Sequence, residues 1–153
     1  MQSTVETETP TTPRRRLAVV ARALTAASVM LSAVVHLELW AGGMRQVDVV
    51  GPAFLLNAIG GLAIAIAVLL WRHWLPLLAA IGFGAATLGA FVMSMTVGFF
   101  GVQEQVWGVA EVLSAVSEVT AISFAVVALI AERPARRFPN AGSTEVTSQA
   151  STT

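Results

Sequence analysis

The chain has 153 residues, of which 56% are hydrophobic and only 12% charged, and its formal net charge is zero. A soluble domain carries about 25% charged residues, and no basic excess argues for nucleic acid as a partner. With no cysteine, disulfides, thiolate metal sites, thioether-linked haem and thiol redox chemistry are excluded.

Residues 1–13 are rich in Thr, Glu and Pro and are expected to be a disordered cytoplasmic tail, because they offer too little apolar surface to fold. Residues 14–132 read as one transmembrane domain. Its first apolar run, Leu17–Trp40, follows Arg14, Arg15 and Arg16. The run is longer than the 7–15 residue core of a signal peptide. No Ala-x-Ala site ends it, so an uncleaved span is expected. Ala41–Val50 is a loop. The second run, Gly51–Trp71, leads into the very short link Arg72-His73-Trp74, which makes the second and third spans an antiparallel hairpin. The third run, Leu75–Phe99, and the fourth, Val106–Ala131, are joined by the short loop Gly101–Gln105. Each run is long enough to cross a hydrocarbon core of about 30 Å as a helix. Residues 133–153, rich in Ser, Thr, Pro and Ala, form a second expected disordered tail. The predicted fold is all-α, a membrane-spanning four-helix bundle in up-down-up-down order.

Eight of the nine arginines fall in segments of one class: Arg14, Arg15, Arg16 and Arg22 at the first span, Arg72 in the hairpin, and Arg133, Arg136 and Arg137 after the fourth span. Arg45 is the exception, and there is no lysine. The positive-inside bias therefore predicts cytoplasmic N- and C-termini. The arginine preference, with abundant Ala and Val, suggests a GC-rich bacterial genome and hence a bacterial cytoplasmic (inner) membrane. Trp40 and Trp107 at outer ends, and Trp71 and Trp74 at the inner hairpin, fit an aromatic belt.

Small residues predict where helices approach closely. Gly82, Ala86 and Ala90 recur every fourth residue on the third span, with Gly84, Ala85 and Gly89 beside them, and Gly60, Gly61 and Ala65 lie on the second. Such faces favour van der Waals packing between helices in lipid, or a homodimer.

Polar groups within the spans are the candidates for function, since they are costly in hydrocarbon and face the bundle interior or water. At about 1.5 Å rise per residue, His36, Asn57, Ser94 and Glu111 all lie roughly 6–8 Å below the outer ends. Each span thus contributes one polar residue to one level, and Glu118 lies lower, near the midplane. Trp107, Glu111, Ser114 and Glu118 share a helix face, as do Thr25, Ser28, Ser32 and His36. A small polar pocket is predicted near the outer face, with Glu118 at its floor. The candidate ligand-binding residues are His36, Asn57, Ser94, Glu111, Ser114 and Glu118. Glu38, two residues from His36, points the other way and is expected at the headgroup level. The bland alternatives are specific: a hydrogen-bonded structural histidine, an asparagine joining helices, and a packed serine. Glu118 resists such a reading, because a midplane carboxylate must be protonated, paired or hydrated. One intramembrane histidine, no His-x-x-x-His pair and no cysteine predict no metal and no cofactor, and no phosphate loop or nucleophile motif is present.

The stretch His36-Leu37-Glu38-Leu39-Trp40, then Gly51-Pro52-Ala53-Phe54-Leu55-Leu56-Asn57-Ala58, then Trp71-Arg72-His73-Trp74-Leu75-Pro76, resembles a group of small four-span membrane proteins of actinobacteria. Gly82-Phe83-Gly84-Ala85-Ala86-Thr87-Leu88 and the glutamates of the fourth span fit the same pattern. The resemblance covers about residues 15–131 and implies the fold and an inner-membrane location, but no activity. DoxX-like four-helix proteins share the architecture by analogy of fold alone.

Small size, packing-rich helices and the lack of a catalytic motif favour a non-enzymatic accessory, assembly or sensing subunit. Its expected partners are the lipid bilayer and a homodimer or larger membrane complex, with no nucleic acid. One alternative is a small proton- or ligand-coupled transporter, which with four spans requires an oligomer; no inverted repeat supports it. Another is a redox or lipid-acting membrane subunit with His36 and Glu111 or Glu118 as an acid–base pair.

Overall fold

The computed structural model describes residues 13–96 and 108–133. Among them are four α-helices and no strand: α1 (Pro13–Ala41), α2 (Val50–Leu70), α3 (Trp74–Thr96) and α4 (Val109–Glu132). A 3-10 turn, Met44–Gln46, lies between α1 and α2. All four helices are long and apolar enough to cross a membrane, so the chain is a multi-pass integral membrane protein. The expectations for residues 1–12 and 134–153, the loop Gly101–Gln105 and Trp107 lie outside the described residues.

Local chemistry sets the helix boundaries. Pro13, Pro52 and Pro76 all fall within the first three residues of their helices, where a missing N–H removes no intrahelical bond. In the hairpin link the Leu75 N–H donates to His73 Nδ1 at 3.2 Å, and the His73 ring stacks on Trp71 at 5.3 Å between centroids. Trp71 and Trp74 both turn outward, as an aromatic belt requires.

Helix α1 is the centre of the bundle. It buries ten residues, against five or six on each of the others. Val29, Ala21 and Ala26 of α1 pack with Ala65 and Val68 of α2, Leu77 and Ala80 of α3, and Ala121, Ala125 and Ala128 of α4. The α4 alanines recur at i, i+4 and i+7, so this face has no bulk to hold α1 away. Dispersion across such close contacts is the main attraction between helices in lipid. The large residues Leu56, Leu62, Leu69, Leu70, Val116 and Ile130 instead point outward, towards lipid.

The contacts between helix ends fit an up-down-up-down course. Arg22, near the start of α1, bonds to Trp71 and His73 after α2 and to Glu132 at the end of α4. At the other end of α1, His36 packs on Phe54 near the start of α2, with ring centroids 5.1 Å apart. These are called below the arginine end and the histidine end.

Two expectations are corrected. The stripe Gly82, Ala86 and Ala90 is not the face by which α3 packs within the bundle, since Gly82 and Ala86 are exposed and a Cβ on Gly82 or Gly89 would meet nothing within 4 Å. Gly84 makes the close approach, where a Cβ would lie 3.0 Å from Ile122 Cγ1 and 3.2 Å from the Glu118 carbonyl oxygen. Arg22 is not a flanking charge either; it is only 5% exposed and sits inside the bundle.

Gly61 is the tightest point of the α1–α2–α3 junction. A Cβ there would stand 2.9 Å from both Ala33 Cβ and Phe83 Cζ. Phe83 can swing away, but Ala33 Cβ moves only with its backbone. Gly61→Val is therefore expected to destabilise the bundle by about 1–3 kcal/mol, as overpacking does. Gly89→Val, facing open space, should leave the thermal midpoint in detergent near that of the parent. Equal melting of the two variants would show that the junction is not close-packed.

Candidate functional site

A cavity of about 260 Å³ lies at the histidine end. All four helices contribute: His36 and Leu39 from α1, Phe54 and Asn57 from α2, Thr87, Ala90 and Ser94 from α3, and Glu111 and Ser114 from α4. Met44 of the 3-10 turn also borders it. The small side chains Ala53 on α2, and Ala86 and Ala90 on α3, leave the space that bulkier residues would fill. The Asn57–Thr87 hydrogen bond (2.9 Å) ties α2 to α3 at its wall.

Five of the six candidate residues, His36, Asn57, Ser94, Glu111 and Ser114, line this cavity. Glu118 does not. It lies one helical turn beyond Ser114 and is 1% exposed. Its Oε1 accepts hydrogen bonds from Ser114 (2.8 Å) and from Ser32 of α1 (3.2 Å), while Oε2 is buried without a partner. Glu118 therefore sits behind the cavity wall as an α1–α4 link and not as an open floor. Ser114 alone touches both, lining the cavity and donating to Glu118.

His36 Nδ1 is 2.8 Å from the Ser32 carbonyl oxygen. A carbonyl only accepts, so Nδ1 carries the proton, and in the neutral ring Nε2 keeps a lone pair. Asn57 is held similarly. Thr87 donates its hydroxyl proton to the Phe83 carbonyl (2.9 Å), so its oxygen accepts from Asn57 Nδ2. Asn57 Oδ1 is left buried and unpartnered. An orphan acceptor of this kind costs about 1–3 kcal/mol.

Glu111 is the third residue of α4, and its carboxylate folds back over Gly108, where a Cβ would collide with it. A negative charge there is favoured by the N–H groups and dipole of the helix N-terminus. Glu38 is exposed and borders a separate surface hollow with Gly42, Gly43 and Ala110. Thr25, Thr120 and Ser123 donate back to carbonyls four residues earlier in their own helices.

No hydrogen bond joins His36 to Glu111 or Glu118 among the described residues; Ser32 stands between His36 and Glu118. Nor do three His, Asp or Glu side chains converge on one point among the described residues.

Sequence reasoning missed Thr87, although its position four residues after Phe83 made the back-bonded hydroxyl foreseeable. It also missed the cluster at the arginine end. Arg22 donates from Nε to the Val68 carbonyl (3.1 Å), from Nη1 to both carboxylate oxygens of Glu132 (2.9 Å each), and from Nη2 to the Trp71 (2.7 Å) and His73 (3.2 Å) carbonyls. One signal was available: Arg22 lies six residues inside Arg16, well into the apolar run.

Comparison of the chain with protein-family models, curated proteins and solved structures returns no match.

Proposed function

We propose that the protein is a non-enzymatic subunit of the bacterial cytoplasmic membrane, with both termini cytoplasmic, serving an accessory, assembly or sensing role in a homodimer or larger complex. The histidine-end cavity is its ligand site, with His36, Asn57, Ser94, Glu111 and Ser114 around the ligand and Glu118 supporting Ser114. The carrying observation is the cavity itself, into which all four helices put a polar side chain among apolar ones. His36 lines it, and with the proton on Nδ1 its Nε2 lone pair offers a ligand a hydrogen-bond acceptor. Most of the remaining lining is apolar, including Leu39, Val50, Phe54 and Phe91. At about 260 Å³ the space is just below the usual 300–1,000 Å³ of small-molecule pockets. It suits a small apolar molecule, or the head of an amphiphile, bearing a hydroxyl or amine donor.

Native mass spectrometry of the protein released from its own membrane in mild detergent tests both parts. The expected spectrum shows a bound subunit or second copy, and a small-molecule adduct that persists through mild activation. Ala90→Phe, which fills the cavity, and His36→Leu, which removes the acceptor, should each lose the adduct while the protein stays folded. An unliganded parent chain, or an adduct indifferent to both substitutions, would refute the ligand site. A bare monomer would refute the subunit role.

A further inference from the structure

At the arginine end a second cleft is lined by Arg14, Arg15, Ala18, Arg72, Ala131, Glu132 and Arg133. Among the described residues its one carboxylate is Glu132, engaged on both oxygens by Arg22. The Arg14 guanidinium covers the terminal carbonyls of α4, donating to Ile130 (3.2 Å), Ala131 (3.1 Å) and Arg133 (2.7 Å). The features that would repel an anion, a carboxylate and a helix C-terminus, are thus both masked by arginine. Arg15, Arg72 and Arg133 are exposed, and no described residue forms a side-chain hydrogen bond or ion pair with them. They come from α1, the α2–α3 link and the end of α4, so only the folded bundle brings them together.

From this arrangement we infer that the cleft binds the phosphate group of an anionic phospholipid. Guanidinium groups pair with phosphate oxygens in bidentate fashion. The cleft is at the depth of a headgroup, because Trp71 and Trp74 flank the link and turn outward. Exposed apolar side chains lie beside its lining residues in sequence, namely Leu17 next to Ala18, Leu70 two before Arg72 and Ile130 next to Ala131. These give acyl chains a surface beside the phosphate. Free phosphate would use the same guanidinium groups and ignore that surface. The acidic residues Glu6 and Glu8 of the chain's own N-terminal segment are a competing occupant.

The test is lipid retention by the full-length protein in mild detergent, measured by native mass spectrometry with equal amounts of phosphatidylglycerol and phosphatidylcholine. The parent chain is expected to retain phosphatidylglycerol preferentially. Arg15→Gln and Arg72→Gln, which leave Arg22 and its contacts intact, should each reduce that preference about five-fold, as expected for one arginine near an anionic headgroup. Equal retention of the two lipids by the parent chain would overturn the inference. So would displacement of phosphatidylglycerol by millimolar inorganic phosphate, which would make the cleft a simple phosphate site. A gain in lipid preference in Glu6→Gln/Glu8→Gln would support it, showing the lipid and the tail competing for one cleft. A preference unchanged in both arginine variants would overturn it, because the lipid would then be held elsewhere.

Discussion

Arg22→Met is expected to lower the stability of the bundle by about 3 kcal/mol, the cost typical of removing one partner from a buried ion pair. A guanidinium has five N–H donors, and all five are used: on the Val68, Trp71 and His73 carbonyls and on the two oxygens of Glu132. These carbonyls belong to the C-terminus of α2 and the link beyond it, where helical bonding runs out. One side chain therefore joins α1, the end of α2, the α2–α3 link and α4. Arg22→Lys should also be poorly tolerated, since three donors on a point charge cannot reproduce a planar fork. Glu132→Gln should cost less, about 1 kcal/mol, because the Glu132 side chain is 27% exposed and water can replace part of what it loses. Arg22→Met combined with Glu132→Leu should recover part of the loss, since no charge is then left unpaired. Thermal melts in one detergent give the ordering. If Arg22→Met melts with the parent chain, the arginine is not a structural clamp.

The second large effect concerns Glu118. Glu118→Ala removes one of the largest fully buried side chains and should destabilise the protein by about 2–4 kcal/mol through the cavity it leaves. The Ser32 and Ser114 hydroxyls lose their shared acceptor, although each can turn back to a carbonyl of its own helix. Glu118→Gln keeps the shape and an oxygen for both serines. It should cost at most about 1–2 kcal/mol, because its amide N–H groups meet the same lack of partners as Oε2. Ser114 connects this site to the cavity, so Glu118→Ala should also weaken ligand retention, whereas Glu118→Gln should largely preserve it. Paired melts and native mass spectra separate the two roles. If Glu118→Gln loses the ligand but melts like the parent, the carboxyl itself serves the ligand and the linking role assigned here is wrong.

The four helices were legible in the sequence because their cause is local. In hydrocarbon every backbone N–H and C=O must be satisfied within the segment, so about 20 apolar residues between polar punctuation already imply a helix. Proline in the first turn and tryptophan at the ends mark the boundaries by equally local chemistry. That His36, Asn57, Ser94 and Glu111 lie towards one end of the bundle was legible for the same reason, since position along a helix is a count of residues from its end.

Azimuth and partnership were not legible. The small residues of α3 show why: Gly82, Ala86 and Ala90 keep a four-residue spacing, yet Gly84 touches α4, and the stripe's alanines border the cavity instead. Periodicity defines a face but not what it faces. Glu118 shares its helix face with Ser114, but its second donor, Ser32, is 86 positions away on α1, and that bond puts the carboxylate behind the wall and not in the cavity. Arg22 reads in sequence as one more positive charge flanking a span. Its burial depends on where α2 ends and on the arrival of Glu132, 110 positions later. The sequence by itself determined the helices and the place of each polar group along its helix, because both follow from the solvent each segment must satisfy. Only the tertiary structure decided which of those groups meet, because a hydrogen bond spans about 3 Å and its partners here come from different helices.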